Sequence, residues 1–81
     1  MKVEVSLFAT LADYLPADSH GGRGLVDLPE GSTVVDLARA LGIPPDLPWI
    51  VLVNGQDAEA GRRLAAEDVV TLFPPLAGGD A

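Results

Sequence analysis

The sequence predicts an α+β domain in which one main helix packs across a mixed sheet of four to five strands. Three observations carry that expectation. Residues 2–8 alternate apolar Val3, Val5 and Leu7 with polar Lys2, Glu4 and Ser6, the period of a half-buried strand. Residues 32–42 place Val34, Leu37, Ala38 and Leu41 at helical spacing. Residues 49–53 and 69–72 are short apolar runs rich in β-branched side chains, which favour strands. Strands and a helix that each have one apolar face bury them against each other in two layers.

In chain order, the strand at residues 2–8 leads into residues 9–15. There Leu11, Ala12 and Leu15 fit a short helix or turn, stopped by Pro16. Residues 17–24 are polar and glycine-rich and read as a flexible loop. Residues 25–28 form a second strand, antiparallel to the first, and Pro29-Glu30-Gly31 turns the chain. Thr33 is placed to cap the helix, with Asp36 three residues on as its capping-box partner, and Gly42 suits a left-handed C-terminal position. A proline-rich connector over 43–48 reaches the strand at 49–53, whose unbroken apolar character marks it as central. Asn54-Gly55 is a strong tight-turn signal, followed by a short return strand at 56–58. Glu67-Asp68 then turns into the last strand. The order β-β-α-β-β(short)-β matches the β-grasp, or ubiquitin-like, arrangement. Neither an internal repeat nor a second domain is visible.

The totals narrow the function. At 81 residues the chain is one small domain, burying roughly 60–65% of the surface its unfolded form exposes. It has no cysteine, so a disulfide framework, a thiolate nucleophile and a cysteine metal site are all excluded. A net charge of −7 argues against nucleic acid, which needs a basic footprint. Residues 1–5 alternate like a strand and do not resemble a signal peptide. No apolar run approaches the length of a membrane span, and the cytoplasm is the expected address.

Groups that could carry catalysis are few. His20, the single histidine, sits in the glycine-rich loop and reads as a solvated side chain; no zinc site is expected. Ser6, Ser19 and Ser32 lack the glycine context of a nucleophile elbow. Gly21-Gly22-Arg23-Gly24 precedes a strand and lacks the lysine and serine of a phosphate loop. The acidic pairs Glu67-Asp68 and Asp57/Glu59 could hold a cation, but acidic turns are common for conformational reasons.

The end of the chain is more specific. Val69-Val70-Thr71-Leu72 is halted by Pro74 and Pro75, which cannot donate to a ladder and favour an extended stalk. Gly78 and Gly79 then supply a tip without side chains, slim enough for a narrow channel. Residues 67–79, Glu-Asp-Val-Val-Thr-Leu-Phe-Pro-Pro-Leu-Ala-Gly-Gly, resemble the C-terminal signature of the MoaD/ThiS family of ubiquitin-like sulfur carriers. The resemblance leans towards MoaD, the small subunit of molybdopterin synthase, and the upstream order of elements fits it too. Here Asp80 and Ala81 follow Gly79, whereas the second glycine is the last residue of typical carriers.

The resemblance implies a β-grasp domain over residues 1–73 and a flexible tail over 74–81. It implies that Gly79, preceded by Gly78, is the reacting residue. A partner adenylyltransferase of the E1-like MoeB/ThiF type uses ATP to make an acyl-adenylate, and a sulfur donor displaces AMP to leave a thiocarboxylate. The carrier binds no cofactor stably. The acceptor would be the large subunit of molybdopterin synthase or another acceptor enzyme, as for ThiS-like carriers in thiamin synthesis. Removal of Asp80-Ala81 by a processing metallopeptidase would free the Gly79 carboxylate. Without it, a β-grasp interaction module or conjugation to proteins stays open; Lys2, the single lysine, disfavours lysine-linked chains.

Docking is expected on the sheet face opposite the helix. If Val51, Val53, Val70 and Leu72 point inward, the period of two turns Ile50, Leu52, Thr71 and Phe73 outward. Phe73, Pro74, Pro75, Leu76, Leu52 and Ile50 are thus the candidate partner-binding residues, with an inward-packed Phe73 as the alternative.

Overall fold

A computed structural model describes residues 1–17 and 19–75. In chain order it contains β1 (Lys2–Leu7), a 3-10 helix (Ala9–Tyr14), β2 (Arg23–Asp27), α1 (Val34–Leu41), β3 (Ile50–Val53), β4 (Gln56–Asp57) and β5 (Val69–Phe73). The strands form one sheet in the order β2-β1-β5-β3-β4. β1 pairs antiparallel with β2 and parallel with β5, while β3 pairs antiparallel with β5 and β4. One helix against a mixed five-stranded sheet is the expected two-layer architecture.

The centre of the sheet is β5, not β3. The run at 49–53 reads as central because every residue is apolar, yet β3 alternates: Val51 and Val53 are buried while Ile50 is exposed. β3 has only the two-residue β4 on its far side, so its outer edge carries a short ladder. β2 also starts earlier than its apolar residues suggest. Gly21 and Gly22 adopt φ of 60° and 80°, making a two-residue turn that lets His20 and Arg23 exchange backbone hydrogen bonds. Left-handed φ at both central positions is what such a turn needs, and glycine takes it without a Cβ clash. Residues 20–24 are therefore an ordered hairpin where a flexible loop is expected.

α1 forms where its signals lie. Thr33 N–H donates to Asp36 Oδ2 at 2.9 Å and Asp36 N–H donates to Thr33 Oγ1 at 3.3 Å, a complete capping box. Gly42 closes the other end at φ 84°, donating its N–H to the carbonyls of Ala38 and Arg39. Val34, Leu37 and Ala38 are buried and Leu41 packs half-buried against the core. From the sheet the core takes Val3, Val5, Leu7, Val51, Val53, Val70 and Leu72, and from the connections Leu11, Leu28, Ile43 and Leu64.

A polar clamp fixes the start of β5. Asn54 donates from Nδ2 to Asp68 Oδ1 at 3.0 Å and accepts Val69 N–H at 2.9 Å, while Ala65 N–H donates to Asp68 Oδ2 at 2.8 Å. Asn54 N–H also donates to the Val69 carbonyl at 2.8 Å. The acidic turn is thus occupied with backbone capping. The Asp68 carboxyl is held below its ordinary 3.8, chiefly by the Ala65 N–H and further by Asn54. Asp36 is likewise lowered, chiefly by the Thr33 N–H. The folded chain keeps these groups charged where the unfolded chain has taken up protons. Their stabilisation is therefore present above about pH 4 and is lost as pH falls through the folded values. Thermal melts should show the Asp36→Asn, Asp68→Asn double variant below wild type at pH 7, with the gap closing towards about pH 2. A gap that persists unchanged at low pH would contradict this assignment.

Candidate functional site: the outer sheet face at the exit of the last strand

Alternation along β5 and β3 sorts their side chains onto two faces. Val70 and Leu72 are fully buried, Val53 is fully buried and Val51 nearly so. Ile50, Leu52, Thr71 and Phe73 fall on the other face, Ile50 exposed and the other three half-buried. Phe73 is thus not packed into the core beneath α1. The register sets Ile50 directly opposite Phe73 and Leu52 opposite Thr71, so these four form a block across two adjacent strands.

Phe8 extends the block, and sequence reasoning missed it as a surface residue. It follows the buried Leu7, and its N–H donates to the Leu72 carbonyl at 3.2 Å, which sets it beside the end of β5. Its side chain is 55% exposed. The signal was present: if Val3, Val5 and Leu7 point inward, Phe8 must point outward. The next residue, Ala9, takes φ 54°, an unfavourable angle for a residue with a Cβ, and bends the chain away after Phe8. Phe8, Phe73 and Ile50 hence make a row of large apolar side chains over β1, β5 and β3. A shallow groove of about 820 Å³ continues from this row, lined by Phe8, Thr71, Val69, Ser6, Glu4 and Arg23. Single exposed apolar residues are ordinary, and three large ones on neighbouring strands of one face make this the apolar part of the outer surface.

The stalk starts at the edge of this row. Pro74 is half-buried and Pro75 exposed. Leu76, Gly78, Gly79, Asp80 and Ala81 lie outside the described residues. Among the described residues no three His, Asp or Glu side chains gather where a metal ion could sit. His20 is exposed and takes part through its backbone in the 20–23 turn. No helix among the described residues is long and apolar enough to cross a membrane.

The ThiS family model matches residues 5–79, almost the whole chain. The chain belongs to the ThiS family. No curated protein matches it. Among solved structures it is similar to SAMP1 of Haloferax volcanii, with 35% identity over 98% of this chain and 100% of that one, and a TM-score of 0.71. A Pyrococcus furiosus protein assigned as subunit 1 of molybdopterin converting factor shares 26% identity over 93% and 98% of the two chains, with a TM-score of 0.68. The Haloferax volcanii HVO 2177 protein shares 26% identity over 98% and 87%, with a TM-score of 0.77. The match of the ThiS model runs through Gly78 and Gly79 and stops before Asp80. These structural likenesses support the β-grasp architecture of the sheet and helix described above.

The two faces of β5 differ in what they do for the domain. Leu72→Ala empties a fully buried position and should lower unfolding free energy by about 2–5 kcal/mol in denaturant titrations. Phe73→Ala trims a half-exposed ring and should lower it by only about 1 kcal/mol. Equal losses would mean that Phe73 is a core residue.

Proposed function

We propose that this chain is a ubiquitin-like sulfur carrier whose reacting group is the carboxylate of Gly79. The supporting observation is the way β5 is held. It is hydrogen-bonded on both sides, to β1 and β3, and runs without a break into Pro74-Pro75. A strand so held fixes the point at which the chain leaves the sheet, and a pre-positioned exit lowers the entropy lost on docking to a partner. Gly78 and Gly79 add no side chains to obstruct that entry.

A carboxylate resists attack because oxide is a poor leaving group. A partner adenylyltransferase joins Gly79 to AMP, with pyrophosphate leaving from ATP. A sulfur donor then attacks the acyl carbon, AMP leaves, and a thiocarboxylate remains for transfer. The Gly79–Asp80 peptide bond must first be hydrolysed, because Asp80 occupies the position of the reacting oxygen. The outer-face row of Phe8, Phe73 and Ile50 gives the adenylyltransferase an apolar footing, with Leu52, Pro74 and Pro75 completing it, and Leu76 is a further proposed contact. The likeness to the Pyrococcus furiosus protein favours a molybdopterin precursor, held by an acceptor subunit, as the sulfur acceptor.

A second outcome for the same activated Gly79 is attack by an amine, giving an amide bond to another protein. The 35% identity to SAMP1, a small archaeal modifier protein, favours including it. Both outcomes share the adenylation step and differ in the nucleophile.

Incubation with ATP and an E1-like adenylyltransferase tests the shared step. The chain lacking Asp80-Ala81 should form the acyl-adenylate, seen by intact mass, and the full chain should not. Phe73→Ala in the shortened chain should weaken adenylyltransferase binding by at least ~10-fold with little loss of stability. A shortened chain that is inert with every such enzyme would replace the carrier by an interaction module.

A further inference from the structure

Among the described residues, the outer edge of β2 is open over a short and well-defined length. Met1 and Leu28 exchange two backbone hydrogen bonds of 2.8 Å between β1 and β2, and Leu7 N–H donates to the Gly22 carbonyl at 3.1 Å. Antiparallel ladders alternate, so Gly24 and Val26 also turn their backbone groups towards β1, while Arg23, Leu25 and Asp27 turn theirs outward. Arg23 is already engaged: its N–H donates to the His20 carbonyl at 3.0 Å, and its carbonyl accepts His20 N–H at 2.9 Å. Pro29, two residues past Asp27, has no N–H to offer. Between these two stops, the N–H and C=O groups of Leu25 and Asp27 meet no backbone partner among the described residues. The opposite edge of the sheet is the two-residue, polar β4.

The side chains on this edge are equally distinctive. Leu25 is 61% exposed, more than any other large apolar residue described. Arg23 stands at the start of the strand and Asp27 at its end. Glu30 lies beside Asp27, both carboxylates being 3.9 Å from the Met1 nitrogen. One end of the strand is thus basic and the other acidic.

We propose that a second copy of this chain adds its own β2 antiparallel to this edge, about a two-fold axis at Val26. That register pairs Leu25 of each copy with Asp27 of the other, making four backbone hydrogen bonds and using every open group. At both ends of the seam it sets Arg23 of one copy beside the Asp27 and Glu30 carboxylates of the other. The two Leu25 side chains become diagonal neighbours on the outer face, and the two Val26 side chains face each other on the inner one. A parallel copy would instead align like charges at each end. The intrachain contacts of these groups, Arg23 to Glu4 at 3.8 Å among them, are long and solvent-exposed and contribute little, so they can rearrange. A seam of one strand is small and each copy carries −7, so the dimer is a transient one. It leaves the row of Phe8, Phe73 and Ile50 uncovered, and the two β5 strands point in opposite directions.

Sedimentation equilibrium of the full chain at physiological salt should show a monomer–dimer equilibrium between about 10 μM and 1 mM. Arg23→Glu alone and Asp27→Lys alone should each remain monomeric over that range. Their equimolar mixture should dimerise again. One end of the mixed seam then pairs the introduced carboxylate of the first variant with the introduced ammonium of the second, and the other end keeps the native Arg23 and Asp27. Amide exchange of Leu25 and Asp27 should slow as wild-type concentration rises, and that of Gln56 and Asp57 should not. A wild type that stays monomeric to 1 mM, variants that associate like wild type, or a mixture that stays monomeric would each overturn the proposal.

Discussion

The parallel ladder between β1 and β5 is the constraint on which the rest of the domain depends. It joins Glu4 to Val69 and Leu7 to Leu72. Parallel neighbours cannot be linked by a tight turn, so everything between residues 8 and 68 is the crossover that lets these strands lie side by side. That crossover contains the helix, the β2 hairpin and the β3-β4 hairpin. It must be closed before the ladder forms, an entropic cost that grows with its length. The closure is offset by burial of Val3, Val5, Leu7, Val70 and Leu72 beneath α1. The Asn54–Asp68–Val69 clamp fixes where the last strand enters, so the ladder has one register.

The proposed carrier role rests on the same constraint. A strand paired on both sides is anchored along its length, so its far end leaves the sheet at a defined place. Pro74 and Pro75 follow directly on that strand, and neither can continue the ladder. The period of two does the remainder: because Val70 and Leu72 must face the core, Phe73 cannot, and it emerges where the stalk begins. Phe8 reaches the same rim by the same logic on β1. The surface beside the tail is thus a by-product of core packing on its opposite face, and a ThiS-family chain needs no cavity of its own to be useful to an enzyme.

Local signals were legible in the sequence. The Thr33–Asp36 capping box, the Gly42 stop, the alternation in β1 and the Asn54-Gly55 turn each depend on neighbours within a few residues, and each is where the sequence places it. The inward set Val51, Val53, Val70 and Leu72 was legible too, since it needs only the period of two. What was not legible depends on distant partners. An apolar run does not say how many strands flank it, so β3 looked central while β5 holds that place. Arg23 looked like loop because its strand character comes from pairing with Ser6 on one side and His20 on the other. Glu67-Asp68 looked like a generic acidic turn, and its tie to Asn54 spans fourteen residues. Phe8 was the exception, a site residue that simple alternation could have found.

The central claim is that Gly79 becomes a free, sulfur-bearing terminus. Intact mass spectrometry of the protein isolated from its own growing cells tests it most directly. The account predicts a chain lacking Asp80-Ala81, part of it heavier by the difference between sulfur and oxygen. A chain that still ends in Asp80-Ala81 throughout growth would contradict it.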